Sequence, residues 1–134
     1  MTQAPNNSLG CLNIEQLSVA FDDKKVLQDF SLNLNEGDIL CLLGPSGCGK
    51  TTALKAIAGL LEAQQGKIEL FGKRLKENTF ELPPEKRDIG FIFQDYALFP
   101  HMSVAQNLAF SLKGQEQSTI DAIIKKNLAM VHLD

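Results

Sequence analysis

Alternation of apolar and polar positions in the first quarter of the chain predicts short β-strands. The alternating apolar side chains form three stretches: Leu12 and Ile14; Leu17, Val19 and Phe21; and Val26, Phe30, Leu32 and Leu34. The alternation shifts by one residue between Ile14 and Leu17, which indicates a bulge or a bend. The polar residues 22–25 separate the last two stretches and predict a hairpin loop.

The next apolar run, residues 39–43, does not alternate. Such a run is typical of a strand that is buried on both faces of a parallel sheet. Residues 67–71 and 89–93 are predicted as two further strands. The segment 72–88 between them is polar and contains two adjacent prolines, so we expect a loop or an irregular insert there.

Helical signals appear in three later segments. The first helix is predicted from four residues at the i, i+3, i+4, i+7 spacing of one face: Leu54, Ile57, Ala58 and Leu61. A second helix is expected to run to about Leu112, with Ser103 as its N-cap and Gln106 as the capping-box partner. A third helix is predicted from near Ser118.

The third predicted helix carries an apolar stripe that extends almost to the end of the chain. Its members are Ile120, Ile123, Ile124, Leu128 and Val131. Because only three residues follow Val131, the remaining sequence scarcely supplies a partner for this stripe. We therefore expect a piece of a longer protein, with residues 1–9 as a flexible tail and residues 10–134 as part of one domain.

Composition is that of an ordinary globular protein, with 44% hydrophobic and 22% charged residues. The formal net charge of −3 gives no general attraction for nucleic acid, so we expect no nucleic-acid partner. The longest apolar run is far shorter than the ~20 residues that span a bilayer. Residues 1–9 lack the pattern of a signal peptide, and we expect a cytoplasmic protein.

The three cysteines, Cys11, Cys41 and Cys48, show no metal-ligand spacing, which fits a reducing compartment. Cys11 and Cys41 are expected to be small buried residues in strands. Cys48 lies two residues before Lys50, in a loop that precedes a predicted helix. Because positive charge favours the thiolate, we expect Cys48 to be alkylated faster than the other two cysteines.

The loop Gly-Pro-Ser-Gly-Cys-Gly-Lys-Thr at residues 44–51 matches the pattern G-x-x-x-x-G-K-[ST] at every required position. Its glycines permit positive φ, so that backbone N–H groups form a nest for phosphate oxygens at the start of a helix. Lys50 adds a charge for the β- and γ-phosphates, and the Thr51 hydroxyl is a ligand for Mg²⁺. The residues predicted to bind Mg-ATP here are Gly44, Pro45, Ser46, Gly47, Cys48, Gly49, Lys50, Thr51 and Thr52.

The loop alone leaves kinases, GTPases and many ATPases open, but three features together narrow the field. They are the loop with the following Ala-Ile-Ala-Gly-Leu at 56–60, the upstream Phe21, and the string Phe-Gln-Asp-Tyr-Ala-Leu-Phe-Pro-His at 93–101. With these features the chain resembles the N-terminal half of the ATP-binding subunit of a bacterial ABC importer. The loop then corresponds to the Walker A motif, and residues 93–101 look like the Q-loop of that family.

The resemblance implies roles for individual residues. Phe21 would stack on adenine, a contact that suits an aromatic face. Gln94 would reach Mg²⁺ and the attacking water. The implied catalytic residues are thus Lys50 and Gln94, and the implied metal ligands are Thr51 and Gln94.

The resemblance also implies a fold and partners. The fold would be an α/β P-loop NTPase with a RecA-like core and an antiparallel β-subdomain, incomplete in this chain. The implied partners are membrane permease subunits, which would contact residues 96–101, a second copy of the subunit, and indirectly a periplasmic solute-binding protein. The subunit would lie in the cytoplasm, at the inner face of the cell membrane.

Within the family, residues 82–101 are similar to importers of ferric iron, polyamines, sulfate and sugars, and the insert at 76–81 leans towards ferric iron. The signature motif, the Walker B aspartate, the catalytic glutamate and the switch histidine are absent from residues 95–134. We therefore expect the chain as given not to hydrolyse ATP at a useful rate. A soluble ABC ATPase without a permease and an inactive nucleotide-binding fragment remain alternatives.

Overall fold

A computed structural model describes residues 10–22 and 24–133 of the chain. The tail expected at residues 1–9 lies outside the described residues. The chain divides into two compact units, residues 1–91 and 92–134, and each is described by itself.

The first unit is built on a five-stranded antiparallel sheet with the order β2-β1-β3-β4-β5. The strands are β1 (Leu12–Phe21), β2 (Lys24–Leu34), β3 (Gln65–Leu70), β4 (Lys73–Glu77) and β5 (Phe80–Glu81). The hairpin predicted at residues 22–25 is confirmed, since Phe21 pairs with Lys24. The predicted irregularity is confirmed as well, because the β1–β2 register shifts between Ile14 and Leu17.

One helix, α1 (Lys50–Ala58), packs against this sheet and contributes small side chains to the core. Ala53, Ala56 and Ala58 are its buried residues, whereas the predicted core residue Leu54 is 48% exposed. Alanine brings a helix backbone close to a sheet, so the face of α1 that is buried is centred on alanines rather than on Leu54. The buried apolar cluster of this unit consists of Ile14, Leu17, Val19, Ala56, Ala63, Ile68 and Leu75.

The strand predictions for residues 39–43 and 89–93 are wrong in this structure. Both segments are irregular, and Ile39, Leu43 and Ile92 are 99%, 86% and 88% exposed. A strand needs a neighbour for its backbone N–H and C=O groups. Among residues 10–22 and 24–133, neither segment pairs with a strand of the sheet.

The loop predicted for residues 72–88 is wrong in part, because it contains β4, β5 and a short 3-10 helix (Pro84–Lys86). β4 reads Lys-Arg-Leu-Lys-Glu, a charged sequence without clear alternation. Cys41 is exposed and outside any strand, which contradicts the expectation of a buried strand residue. Cys11 is half-buried and directly precedes β1.

The second unit contains α2 (Val104–Ala109), a 3-10 turn (Phe110–Leu112) and α3 (Gln117–Met130). The capping box is confirmed: the Gln106 N–H donates to Ser103 Oγ at 3.2 Å, and the Ser103 N–H donates to Gln106 Oε1 at 2.8 Å. The apolar stripe of α3 is half-buried from Ile120 to Leu128, and Val131 lies beyond the end of the helix. Within the described part of the chain, each helix is too short or too polar to cross a lipid bilayer.

Candidate functional site

The glycines of the loop at residues 44–51 have the backbone conformation that the motif predicts. Gly44, Gly47 and Gly49 have φ angles of +157°, +81° and +96°. Gly49 is the N-cap of α1, and a Cβ added there would lie 2.9 Å from the carbonyl oxygen of Val26 in β2. The start of α1 is therefore seated directly against β2, and only glycine fits at this contact.

The Lys50 ammonium lies within the curve of this loop. Its Nζ donates to the carbonyl oxygens of Gly44 at 2.8 Å and Pro45 at 2.7 Å, and lies 3.5 Å from Cys48 Sγ. The chain thus concentrates a full positive charge at the point where the loop curls in front of the helix.

The first turn of α1 adds backbone donors beside that charge. The first helical hydrogen bond runs from the Ala53 N–H to the Gly49 oxygen at 2.8 Å. The N–H groups of Lys50, Thr51 and Thr52 precede it, in the turn where a helix supplies no acceptor of its own. An anion at this end is favoured by these donors and by the helix dipole.

Phe21 is the last residue of β1. Its side chain is 46% exposed and lines an open pocket of about 760 Å³ together with Asp22, Lys24 and Val26. Val26 is also the residue whose carbonyl oxygen lies close to Gly49 at the start of α1. Phe21 and the predicted phosphate-binding loop both belong to the first unit, and the stacking of Phe21 on adenine stays a prediction.

Gln64 supports the strand end next to Phe21, a role that the sequence analysis missed. The Ala20 N–H donates to Gln64 Oε1 at 2.7 Å, and Gln64 Nε2 donates to the Ala20 oxygen at 3.3 Å. The Gln64 backbone N–H also donates to the Ser18 oxygen at 3.0 Å. The two side-chain bonds join residues 44 positions apart, so no local pattern pointed to them.

Gln94 belongs to the second unit, where it lies exposed in a turn. The turn is closed by the Tyr96 N–H, which donates to the Phe93 oxygen at 3.0 Å. Tyr96 and Ala97 both have positive φ, +62° and +45°, a conformation that non-glycine residues adopt rarely. The predicted role of Gln94 in Mg²⁺ binding stays a prediction.

The residues after this turn present a small apolar surface. Tyr96 and Leu98 are 77% and 71% exposed, whereas Phe99 is half-buried and packs 4.4 Å from the ring of Phe110. Asn107 holds the backbone here: its Oδ1 accepts from the Phe99 N–H at 2.9 Å, and its Nδ2 donates to the oxygens of Phe99, Met102 and Ser103. Of the side chains in residues 96–101, where a permease contact is expected, Tyr96 and Leu98 are thus apolar and accessible.

Groups of three or more His, Cys, Asp or Glu side chains that could hold a metal ion do not occur in residues 10–22 and 24–133. Mg²⁺ in nucleotide sites requires no such cluster, because it retains water and takes phosphate oxygens as ligands. Thr51 is exposed on the first turn of α1, so its hydroxyl is available to an ion bound with a phosphate at this terminus.

Comparison with known proteins places these features in a family. The family model described as ABC transporter matches residues 27–134. Three relatives carry the name spermidine/putrescine import ATP-binding protein PotA: those of Bacteroides thetaiotaomicron (43% identical over 90% of this chain), Clostridioides difficile (42% over 92%) and Pseudomonas aeruginosa (46% over 91%). The aligned part covers 26%, 35% and 33% of those relatives, so the chain spans about a third of their length.

Proposed function

Because this chain belongs to the ABC transporter family, we propose that it binds Mg-ATP on residues 44–52 as the ATP-binding part of a solute-import ATPase. The chain is a partial P-loop NTPase domain of the mixed α/β class. Its relatives are named as import ATP-binding proteins, which supports import as the process that ATP would drive.

The observation that carries the proposal is the position of Lys50. Its ammonium lies 2.8 Å and 2.7 Å from two carbonyl oxygens of the loop, directly in front of the first turn of α1. In this position it can exchange those carbonyl oxygens for phosphate oxygens without leaving the loop. An anionic phosphate oxygen attracts the ammonium more strongly than the uncharged carbonyl oxygens that it would replace, because both partners then carry charge.

Each predicted site residue has a distinct part in the proposal. The N–H groups of the loop and of the first turn would hold the β- and γ-phosphates together with Lys50, and Phe21 would stack on adenine. Thr51 and Gln94 would be the protein ligands of Mg²⁺, and Gln94 would also orient a water. The bound ion would supply positive charge that neutralises the phosphates.

Hydrolysis is proposed to need residues beyond those in this chain. Phosphoryl transfer depends on positioning and on charge stabilisation, for which the chain contributes the phosphate loop, Thr51 and Gln94. We therefore expect the chain alone to bind Mg-ATP without turning it over at a useful rate. Phosphate release that persists through purification and disappears in Lys50→Ala would overturn this expectation.

The proposed partners are membrane permease subunits and a second copy of this subunit, with a periplasmic binding protein acting indirectly. Exposed Tyr96 and Leu98 support the permease contact, since an apolar surface of this kind favours a protein partner. The protein would thus lie at the inner face of the cell membrane. The alternative, a soluble ABC ATPase, predicts that the full-length protein purifies without a membrane protein.

The proposed solute is a polyamine. The relatives named above are all called spermidine/putrescine import proteins, and they share 42–46% identity with this chain. The lean towards ferric iron, based on the insert at residues 76–81, receives no support from these relatives. Growth on polyamine and uptake of labelled spermidine are measured in cells that lack the gene. Loss of either would support a polyamine as the solute, and no change in both would contradict it.

The experiment that tests nucleotide binding compares Lys50→Ala with Lys55→Ala. Both lysines belong to α1, but Lys55 lies in its last turn, away from the loop. Loss of a charge-assisted contact of about 1.5–3 kcal/mol predicts that Lys50→Ala weakens Mg-ATP binding roughly 10- to 100-fold. Titration with a fluorescent ATP analogue should show affinity close to wild type for Lys55→Ala, and equal affinities for both variants would contradict the proposal.

A further inference from the structure

Arg87 is a fully buried arginine whose guanidinium is bonded on every side. Its side chain is 0% exposed. Nε donates to the Leu82 oxygen at 2.7 Å, and Nη2 donates to Glu81 Oε1 at 2.8 Å. Nη1 donates to the oxygens of Ala56 and Ile57, both at 3.0 Å.

Two of these acceptors are carbonyl groups of the last turn of α1. The carbonyl end of a helix has unsatisfied acceptors and partial negative charge, so a cation is favoured there. Glu81 balances the charge of Arg87, and Lys76 lies 3.6 Å from the other oxygen of the same carboxylate. Arg87 thereby joins the end of α1 to the segment that follows β5.

The helix terminates in a way that makes room for Arg87. Gly59, the residue after the helix, has φ +78°, and a Cβ added there would collide with Nε and lie 2.8 Å from Cζ of Arg87. Gly49 makes the corresponding close contact at the other end, against the Val26 oxygen of β2. Helix α1 is therefore held at both ends, by β2 at its start and by Arg87 at its end.

We propose that Arg87 is a positioning residue for the phosphate site, acting through α1. This inference rests on the proposed function, since it assumes that the start of α1 binds phosphate. A nine-residue helix transmits a displacement of one end to the other. Fixing the carbonyl end against Arg87 therefore fixes the direction of the first-turn N–H groups and of Lys50.

The test compares Arg87→Met with Lys76→Met in the full chain. Both substitutions remove a buried cation that contacts Glu81, but of the two side chains it is Arg87 that also donates hydrogen bonds to carbonyl oxygens of α1. Mg-ATP affinity is measured at a temperature where circular dichroism shows both variants to be folded. Arg87→Met should bind Mg-ATP about tenfold more weakly than wild type. This is the lower end of the ~10- to 100-fold loss of affinity that follows mutation of a residue that orients a metal ligand. Lys76→Met should retain the affinity of the wild type.

Arg87→Lys provides a second variant and a rescue. A lysine keeps the charge at the helix end but cannot bond several acceptors in a fixed plane, so its affinity should fall between those of wild type and Arg87→Met. If Arg87→Met does not fold, the lysine variant carries the test, and wild-type affinity in it would overturn the inference. Equal losses in Arg87→Met and Lys76→Met would also overturn it, because they would indicate a general effect of the buried cluster. Failure of the wild-type chain to bind Mg-ATP would instead contradict the proposed function.

Discussion

Ile68 in strand β3 and Ile39 in the run at residues 39–43 are both isoleucines in segments predicted as strands, yet their environments are opposite. Ile68 in β3 is 0% exposed, whereas Ile39 and Leu43 are 99% and 86% exposed. β3 pairs with β1 on one side and β4 on the other. The run finds no paired strand within residues 10–22 and 24–133. An apolar residue in a predicted strand is therefore buried only where the chain also supplies neighbouring strands.

Alanine substitution of one isoleucine in each region gives the largest expected difference in stability. Ile68→Ala should lower the free energy of unfolding by about 2–5 kcal/mol, because it leaves a cavity in a packed core. Ile39→Ala should change it by less than about 0.5 kcal/mol, because the side chain is already in solvent. Urea denaturation of the two variants and the wild type gives both values.

An equal loss in the free energy of unfolding for Ile39→Ala and Ile68→Ala would contradict the comparison. That result would place residues 39–43 in a packed environment in solution, and the exposed position described here would be wrong. An unchanged stability for Ile68→Ala would contradict the buried core instead.

Two glycines give a smaller but equally direct contrast. Gly66 has φ +107°, and a Cβ added there would lie 2.6 Å from Leu17 Cα, so Gly66→Ala should destabilise the chain by about 1–3 kcal/mol. Gly90, within residues 89–93, has no atom within 4 Å of an added Cβ. Gly90→Ala should therefore be neutral or stabilise by up to about 1 kcal/mol.

Thermal unfolding monitored by circular dichroism should separate these two alanine variants clearly. Equal melting temperatures would indicate that Gly66 does not approach β1 as closely as the sheet requires. A large loss of stability in Gly90→Ala would indicate that the space beside Gly90 is filled.

Local signals predicted the elements whose stabilising contacts lie close in sequence. The β1–β2 hairpin, helix α1 and the capping box of α2 each depend on neighbouring residues, and each is confirmed. β4 escaped prediction because its sequence is mostly charged, and charged side chains are common on strands near a sheet edge. The two apolar runs were assigned as strands because sequence periodicity carries no information on whether a partner strand is present.

The candidate site shows the same contrast between features set by neighbouring residues and features set by distant ones. The glycine loop could be predicted because its motif consists of consecutive residues, and the positive φ angles of Gly44, Gly47 and Gly49 agree with the predicted conformation. The contacts of Arg87 could not be predicted, since Arg87 bonds a carbonyl oxygen 31 positions earlier in the chain. The sequence does contain Glu81, which pairs with Arg87, and Gly59, which follows α1, but neither residue alone specifies such a contact.

The central claim is that ATP phosphates bind the loop that contains Cys48, and alkylation of the cysteines tests it most directly. Cys48 is exposed 3.5 Å from Lys50 Nζ, and Cys41, also exposed, serves as an internal control outside the loop. The labelling rate of each is measured by mass spectrometry with and without Mg-ATP. The account predicts that Mg-ATP slows the labelling of Cys48 and leaves that of Cys41 unchanged. Identical Cys48 rates at saturating Mg-ATP would contradict it.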